Sequence, residues 1–344
     1  MAINLAEKYS TKVAERFALT SKTDKHAGHD YDFTGVKTIK IYSIDTVPTT
    51  DYTRSGISRF GELTELGDTV QEMTLTQDKA FTFSIDAGNA SEQFNIKHAN
   101  ASLKRELDEV VTPEIDMYRL NKWATAEGIQ TVADGALTKS NIAERVTAGI
   151  AALDNAEAPE DGRTIYIDPA KYALLRLSPE FLAADALAAK SVGKGYMGEF
   201  GGCAVVKVPA GRMPADVNFM IVHKEAAIAP EKLASAKIHK DPPGIDGNLL
   251  EGRHYYDAFV IGARAGGVYV DVAVATCAAP TMSGTTLASS GNTIAWTSDG
   301  SDPRYSNTAT IGTSVAGVAS GSKIKAYAYK AGGFASPVAE FTIA

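Results

Sequence analysis

Apolar and polar residues alternate on both sides of residues 77–80. This period of two is typical of strands with one buried face, and two such runs around a short polar link predict a long β-hairpin. A hairpin alone is only marginally stable in water, so we expect its apolar face to pack on a neighbour. The apolar members of the two runs are Met73, Leu75, Phe81, Phe83 and Ile85.

The period then changes to that of a helix. Leu103, Leu107 and Val110 form the start of a single apolar stripe, and Pro113 can open a further helical stretch on nearly the same face. We therefore expect one long helix, kinked near Thr112. A second apolar stripe predicts a helix over 141–153.

The remainder of the first 276 residues alternates short apolar runs with polar turns. Strands are predicted at 37–44, 164–167, 204–208, 217–222, 255–261 and 268–272, and a helix over 170–177. Beyond the break at 277–280 the chain is rich in Ser, Thr, Gly and Ala. Short strands at 293–297, 323–330 and 338–343 there predict a small all-β sandwich. The fold class is therefore α+β followed by a β-sandwich.

Composition narrows the class of protein. The chain has 344 residues, of which 44% are hydrophobic, so it can bury a sizeable core. A net charge of -7 with scattered basic residues argues against sequence-specific nucleic-acid binding. Only two cysteines are present, and we find neither a secretory signal nor a membrane-spanning apolar run, so we expect a reducing, cytoplasmic setting for folding.

Candidate chemistry is sparse. The run from Gly193 to Gly198 matches the dinucleotide-binding pattern, but a helix-like segment precedes it and a strand follows, which inverts the required context. His26 and His29 lack the further ligands that zinc needs. We therefore expect no catalytic residue, no cofactor and no metal, and a protein that is not an enzyme.

The first 36 residues carry too few apolar groups to fold by themselves. We expect this arm, like the predicted hairpin, to gain its order by lying across neighbouring copies of the chain. The predicted contact residues are those of the hairpin's apolar face, Met73, Leu75, Phe81, Phe83 and Ile85.

The order of these parts, with the helix at 104–119 and the strand, helix and return strand at 164–175 and 198–206, resembles tailed-bacteriophage major capsid proteins of the Hong Kong 97-type fold. The resemblance implies five parts. These are an N-terminal arm (1–36), a first strand and E-loop hairpin region (37–98), a spine helix and peripheral domain (99–139, with strands returning near 253–276), an axial domain (140–252) and the sandwich (278–344).

The sandwich resembles immunoglobulin-like modules, through the stretches 296–303, 324–329 and 336–343. The resemblance implies a shell of hexamers and pentamers around double-stranded DNA, assembled in the host cytoplasm with a portal and a separate scaffolding protein. The module would decorate the outside of the virion and could bind a host-surface glycan. The alternatives are a bacterial surface adhesin, which should carry an export signal, and an accessory carbohydrate-binding protein.

Overall fold

The computed structural model describes a large part of the chain. The described residues are 21–28, 31, 33, 36–44, 47, 49–55, 57–61, 63, 65–88, 99–178, 198–274, 277–300, 303, 304, 306, 308–330 and 333–343. The predicted glycine-rich loop at 193–197 and the first twenty residues of the predicted arm lie outside them.

Strands outnumber helices in this part of the chain. The helices are α1 (Ala99–Glu106), α2 (Thr112–Ala124), α3 (Ile142–Asn155) and α4 (Pro169–Arg176), with a π-helical segment at Leu107–Val111 and short 3-10 turns at Asp24–His26, Ala210–Arg212 and Gly262–Gly267. The first strands are β1 (Thr38–Ile44), β2 (Asp68–Thr74), β3 (Gln77–Asp86), β4 (Gln130–Ala133), β5 (Arg163–Ile167), β6 (Glu199–Phe200), β7 (Cys203–Lys207), β8 (Val217–His223) and β9 (Ala227–Ile228). The later strands are β10 (Glu231–Lys240), β11 (Gly247–Tyr256), β12 (Phe259–Val260), β13 (Val268–Val272), β14 (Thr281–Ser283), β15 (Thr286–Ala288), β16 (Thr293–Thr297), β17 (Thr310–Ile311), β18 (Lys323–Tyr329) and β19 (Ala339–Thr342).

A six-stranded mixed sheet in the order β4-β13-β8-β5-β7-β6 forms the centre of the molecule. Its strands are apolar on both faces, as expected of a sheet covered on both sides. Ile165 and Ile221 point to a core shared with α3 and α4, whereas Tyr166 and Met220 point to a second core that contains Trp123 of α2. The sheet is therefore the middle of three layers.

The long helix runs without a break from α1 through the π-helical segment into α2, which confirms the predicted helix. The irregular turn lies just before the predicted kink at Thr112. There the Thr112 hydroxyl donates a hydrogen bond of 2.9 Å to the carbonyl oxygen of Leu107, five residues back, as a widened turn requires. The helices predicted over 141–153 and 170–177 are also present, and the Asp168 carboxylate caps α4 by accepting from the amides of Ala170 and Lys171.

The predicted hairpin between 73–75 and 81–85 is wrong. β2 pairs with β1 in a two-stranded antiparallel sheet, whereas β3 pairs with β11 in the three-stranded sheet β10-β11-β3. Both segments are strands, as the alternation of apolar and polar residues predicts. A period of two fixes which side chains of a strand share a face, but it does not fix which other strand pairs with it.

The segment after 277 forms a separate β module. A four-stranded sheet in the order β17-β16-β18-β19 and the hairpin β14-β15 enclose a core that includes Leu287, Trp296 and Ile324. The module also reaches into the rest of the chain, because Phe334, 8% exposed, packs with the core that covers the α2 side of the central sheet. An immunoglobulin-like topology for this module stays a prediction.

Candidate assembly surface

Most of the exposed large apolar residues that the structure describes lie in or beside the β1–β2 hairpin. Fifteen large apolar residues are exposed among the residues that the structure describes, and ten of them lie between positions 36 and 70. Single exposed apolar residues are ordinary, but a concentration of this kind marks an interaction surface. Three side chains near the tip are almost fully exposed: Ile57 (103%), Phe60 (87%) and Leu63 (102%).

The outer face of the hairpin follows from the strand register. Tyr42 lies opposite Val70, both exposed, and one step along, Lys40 lies opposite Glu72 and forms an ion pair of 3.1 Å with it. Alternate residues of the same strands, such as Ile41, turn towards the body of the chain. One face of the hairpin is therefore bound to its own molecule, and the other presents an apolar strip with one ion pair.

The tip has a defined shape of its own. The rings of Tyr52 and Phe60 meet edge to face, with centroids 5.0 Å apart. The amide of Thr53 donates to the carbonyl oxygen of Arg59 at 3.0 Å, and the Thr50 hydroxyl donates to that of Phe60 at 3.1 Å. These contacts hold Phe60 in position before any partner binds, which lowers the entropic cost of association.

The root of the hairpin is fixed to the body. The Gln71 side chain donates to the carbonyl oxygen of Val260 at 3.0 Å and accepts from the amide of Gly262 at 2.8 Å. Met73 and Leu75, both 0% exposed, pack in a cluster with Phe33 and other apolar side chains. The hairpin is thus anchored at one end and projects its tip from the other.

A buried carboxylate joins this root to the long helix. Asp257, 1% exposed, accepts from the amide and the hydroxyl of Thr76 at 2.7 and 2.8 Å, and from the Tyr118 hydroxyl of α2 at 2.8 Å. Burial, together with the hydrogen bond to Asp257, raises the pKa of Tyr118 to about 12. The phenol therefore stays a donor throughout the neutral range.

The structure does not bring the five predicted contact residues onto one exposed face. Met73, Leu75 and Ile85 are buried within the chain itself, and Phe81 and Phe83 of β3 are half-buried, with ring centroids 6.3 Å apart. A contact of Phe81 and Phe83 with another subunit stays a prediction. Sequence reasoning missed the hairpin tip because its apolar residues are isolated among polar ones and follow no period.

Residues 21–28 of the predicted arm pack on their own chain. The Asp116 carboxylate of α2, 0% exposed, accepts from the Ser21 hydroxyl at 2.7 Å, the Lys22 amide at 2.9 Å and the Thr23 hydroxyl at 2.7 Å. Arg212 completes the site, with its guanidinium 2.9 Å from the same carboxylate. A buried carboxylate of the same chain therefore holds these residues, and a contact of the arm with a neighbouring copy stays a prediction.

The described residues contain no group of three or more His, Cys, Asp or Glu side chains placed to hold a metal ion. Within the same residues no helix is long and apolar enough to cross a bilayer. His223 is buried between backbone partners, with Nε2 2.8 Å from the Asp161 carbonyl oxygen.

Comparison with known proteins identifies the fold. No family model and no curated protein sequence matches this chain. A structure from Mycobacterium phage Che8 matches with a TM-score of 0.65 at 16% identity, covering 78% of this chain and 96% of that one. The capsid structure of cyanophage P-SCSP1u matches with a TM-score of 0.63 at 13% identity, covering 78% of this chain and 93% of that one. The mature capsid of bacteriophage PhiM1 matches with a TM-score of 0.62 at 13% identity, covering 78% of this chain and 92% of that one. The chain shares the α+β fold of these phage structures.

Proposed function

We propose that this chain is the major capsid protein of a tailed bacteriophage, and that many copies form the icosahedral head. The observation that carries the proposal is a preformed apolar hairpin tip, anchored at its root, on a fold shared with phage capsid structures. The fold has a known use in shells, and the hairpin gives this chain a surface that needs a partner. The function is structural, without a catalytic step.

The Hong Kong 97-type elements can be assigned on this structure as part of the proposal. The β1–β2 hairpin is the E-loop, in place of the hairpin predicted from the sequence, and the helix from Ala99 to Ala124 is the spine. The sheet β10-β11-β3 with that helix is the peripheral domain, which moves 231–252 out of the predicted axial domain. The six-stranded sheet with α3 and α4 is the axial domain.

Closed shells need contacts that repeat by symmetry. Obligate interfaces commonly bury about 2,000–5,000 Å² and are rich in apolar side chains. The outer face and tip of the hairpin supply such side chains at a position that projects from the body. We propose that they contact a second copy of the chain in hexamers and pentamers around the packaged double-stranded DNA, with a scaffolding protein and a portal as further partners.

The C-terminal module is proposed to lie on the outside of the shell. The likeness to phage structures covers at least 92% of three neighbours but only 78% of this chain, so part of this chain is additional to the shared fold. The proposed host-surface glycan ligand is supported only by the resemblance of the module to immunoglobulin-like domains.

Assembly can be tested with a charge at the tip. Phe60→Asp should abolish or strongly reduce particle formation, because a carboxylate would be desolvated in an apolar contact. Particles are counted by negative-stain electron microscopy after size-exclusion chromatography.

The matched control is Thr285→Asp, which adds the same charge at an exposed polar position in the turn between β14 and β15, away from the hairpin tip. It should assemble like the unmodified chain. Normal particle yield and diameter for Phe60→Asp would contradict the proposed contact. If the unmodified chain itself stays monomeric, the alternatives of an adhesin or a carbohydrate-binding protein would be favoured.

A further inference from the structure

His254 occupies an unusual position beneath the long helix. It lies in β11, the central strand of the three-stranded sheet, opposite Lys79 of β3 and Ala234 of β10. Its side chain is 8% exposed, and its ring stacks on that of Phe81, with centroids 6.3 Å apart. Neither ring nitrogen has a hydrogen-bond partner among the described residues. Buried polar groups in proteins are nearly always paired, so this histidine calls for an explanation.

The helix above His254 is irregular at the same place. The π-helical segment Leu107–Val111 widens the helix there, and π-helical turns of this kind occur frequently at functional sites. Two cavities of about 170 and 200 Å³ flank the contact, and Val111, Ile115 and His254 line both of them. His254 therefore fills the space between two cavities, at the point where the helix meets the sheet.

The charged groups around the two cavities are unequal in number. Four carboxylates face two cations, and the cations are already engaged, since Lys79 pairs with Glu114 at 3.4 Å and Arg119 with Asp24 at 3.2 Å. Carboxylates can accept hydrogen bonds from a charged imidazole. The titratable and charged residues that line the cavities are Lys79 from β3, Glu231 from β10, Tyr256 from β11, Asp24 from the N-terminal segment, and Glu106, Glu114 and Arg119 from the long helix.

The two protonation states of His254 make different demands. The neutral ring can stay stacked on Phe81. The imidazolium has two N–H donors and a charge, and no acceptor lies within hydrogen-bond distance of either nitrogen among the described residues. A buried charge without a partner costs several kcal/mol, so the protonated ring must move towards a carboxylate of one of the cavities.

We propose that His254 is a proton-binding switch between the long helix and the three-stranded sheet. Taking up a proton draws the ring off Phe81 towards a carboxylate and loosens the joint at the π-helical segment. Histidine is the side chain whose ordinary charge change falls between pH 5 and 8, so the test compares pH 7.5 with pH 5.5. This inference concerns the joint itself and holds whether or not the chain forms a shell.

Hydrogen–deuterium exchange of the full chain tests the switch. The amides of 107–112 are compared at pH 7.5 and 5.5, in the same assembly state, after correction for the intrinsic pH dependence of exchange. We expect their protection to fall about tenfold at pH 5.5, the effect of one proton-linked step over roughly one pH unit. Protection in β5 and β8 of the central sheet should stay constant.

Three variants sharpen the test. His254→Gln should remove the acid-induced loss, and His254→Lys should show loosened exchange already at pH 7.5. His239→Gln, at an exposed histidine 3.2 Å from Glu251 in the neighbouring strand, should respond to acid like the unmodified chain. Equal loss of protection in His254→Gln and the unmodified chain would overturn the proposal. So would an unmodified chain whose 107–112 amides are equally protected at both pH values, a result that needs no variant.

Discussion

Asp116 shows how much one buried charge can organise. Its carboxylate is fully buried in α2, yet it is matched by hydroxyl, amide and guanidinium donors from the N-terminal segment and from Arg212. A buried carboxylate is stable only with such a full set of partners. The residue therefore joins the first described segment, the long helix and the 3-10 turn at Ala210–Arg212.

Replacing Asp116 with Asn should destabilise the chain by about 3 kcal/mol, because the buried ion pair with Arg212 would be broken. The measurement is urea unfolding in the Phe60→Asp background, which we expect to stay unassembled. Glu114→Gln on the same helix removes an exposed ion pair with Lys79 and should change the unfolding midpoint little. Similar midpoints for the two variants would show that the Asp116 contacts contribute little.

At the scale of elements, the sequence predicted which helices and strands form better than it predicted which strands pair. The long helix, α3, α4 and four strands of the central sheet (β5, β7, β8 and β13) are where their periodicity placed them, because each has one or two clearly apolar faces. The sheet's two edge strands, β4 and β6, were not predicted. β10 and most of β11 were missed. Lys237, His239 and Glu251 make one face of these strands polar. The opposite face includes the small residues Ala234, Ala236 and Gly252, so few large apolar side chains alternate with the polar ones.

The candidate site was less predictable still. The sequence predicted contact residues at Met73, Leu75, Phe81, Phe83 and Ile85, and it did not single out the exposed β1–β2 tip. Three of these residues, Met73, Leu75 and Ile85, are buried within the chain itself. Met73 and Leu75 are strongly apolar because they fill the chain's own core. Apolar character alone does not distinguish a residue buried by its own fold from one reserved for a partner; only the tertiary structure does.

The attachment of the C-terminal module is a second property that the sequence did not show. Cys277 donates its amide to the carbonyl oxygen of Phe334 at 3.2 Å, and the Phe334 ring packs in the core of the body. Phe334→Ala should therefore destabilise the body by about 3–5 kcal/mol, the usual cost of such a truncation in a core.

The check is limited proteolysis combined with thermal unfolding. Phe341→Ala is the control, because Phe341 packs against the module's own core. It should weaken the module and leave the body resistant. If Phe334→Ala also leaves the body unchanged, the module is an independent appendage.

At the scale of the whole molecule, the hairpin tip offers a direct measure of assembly. Arg54 and Arg59 lie exposed in the tip, close to Phe60 and Leu63. Trypsin should cleave the free subunit there first, since exposed loop tips are preferred sites of proteolysis. In assembled particles the same bonds should resist cleavage, because a neighbouring copy covers them. Mass spectrometry measures the rate of cleavage at each bond. Equal rates in free and assembled protein would place the tip outside the subunit contact.

The fastening of residues 21–23 by Asp116 and Arg212 also has a consequence for synthesis on the ribosome. The earliest of these residues emerge long before Arg212 is made, and at about 5–20 residues per second the interval is on the order of ten seconds or more. Throughout that time the leading end of the nascent polypeptide has only part of its final docking site. Growing chains should therefore complete this closure late in translation, and newly made subunits would become ready to join others only near the end of their own production.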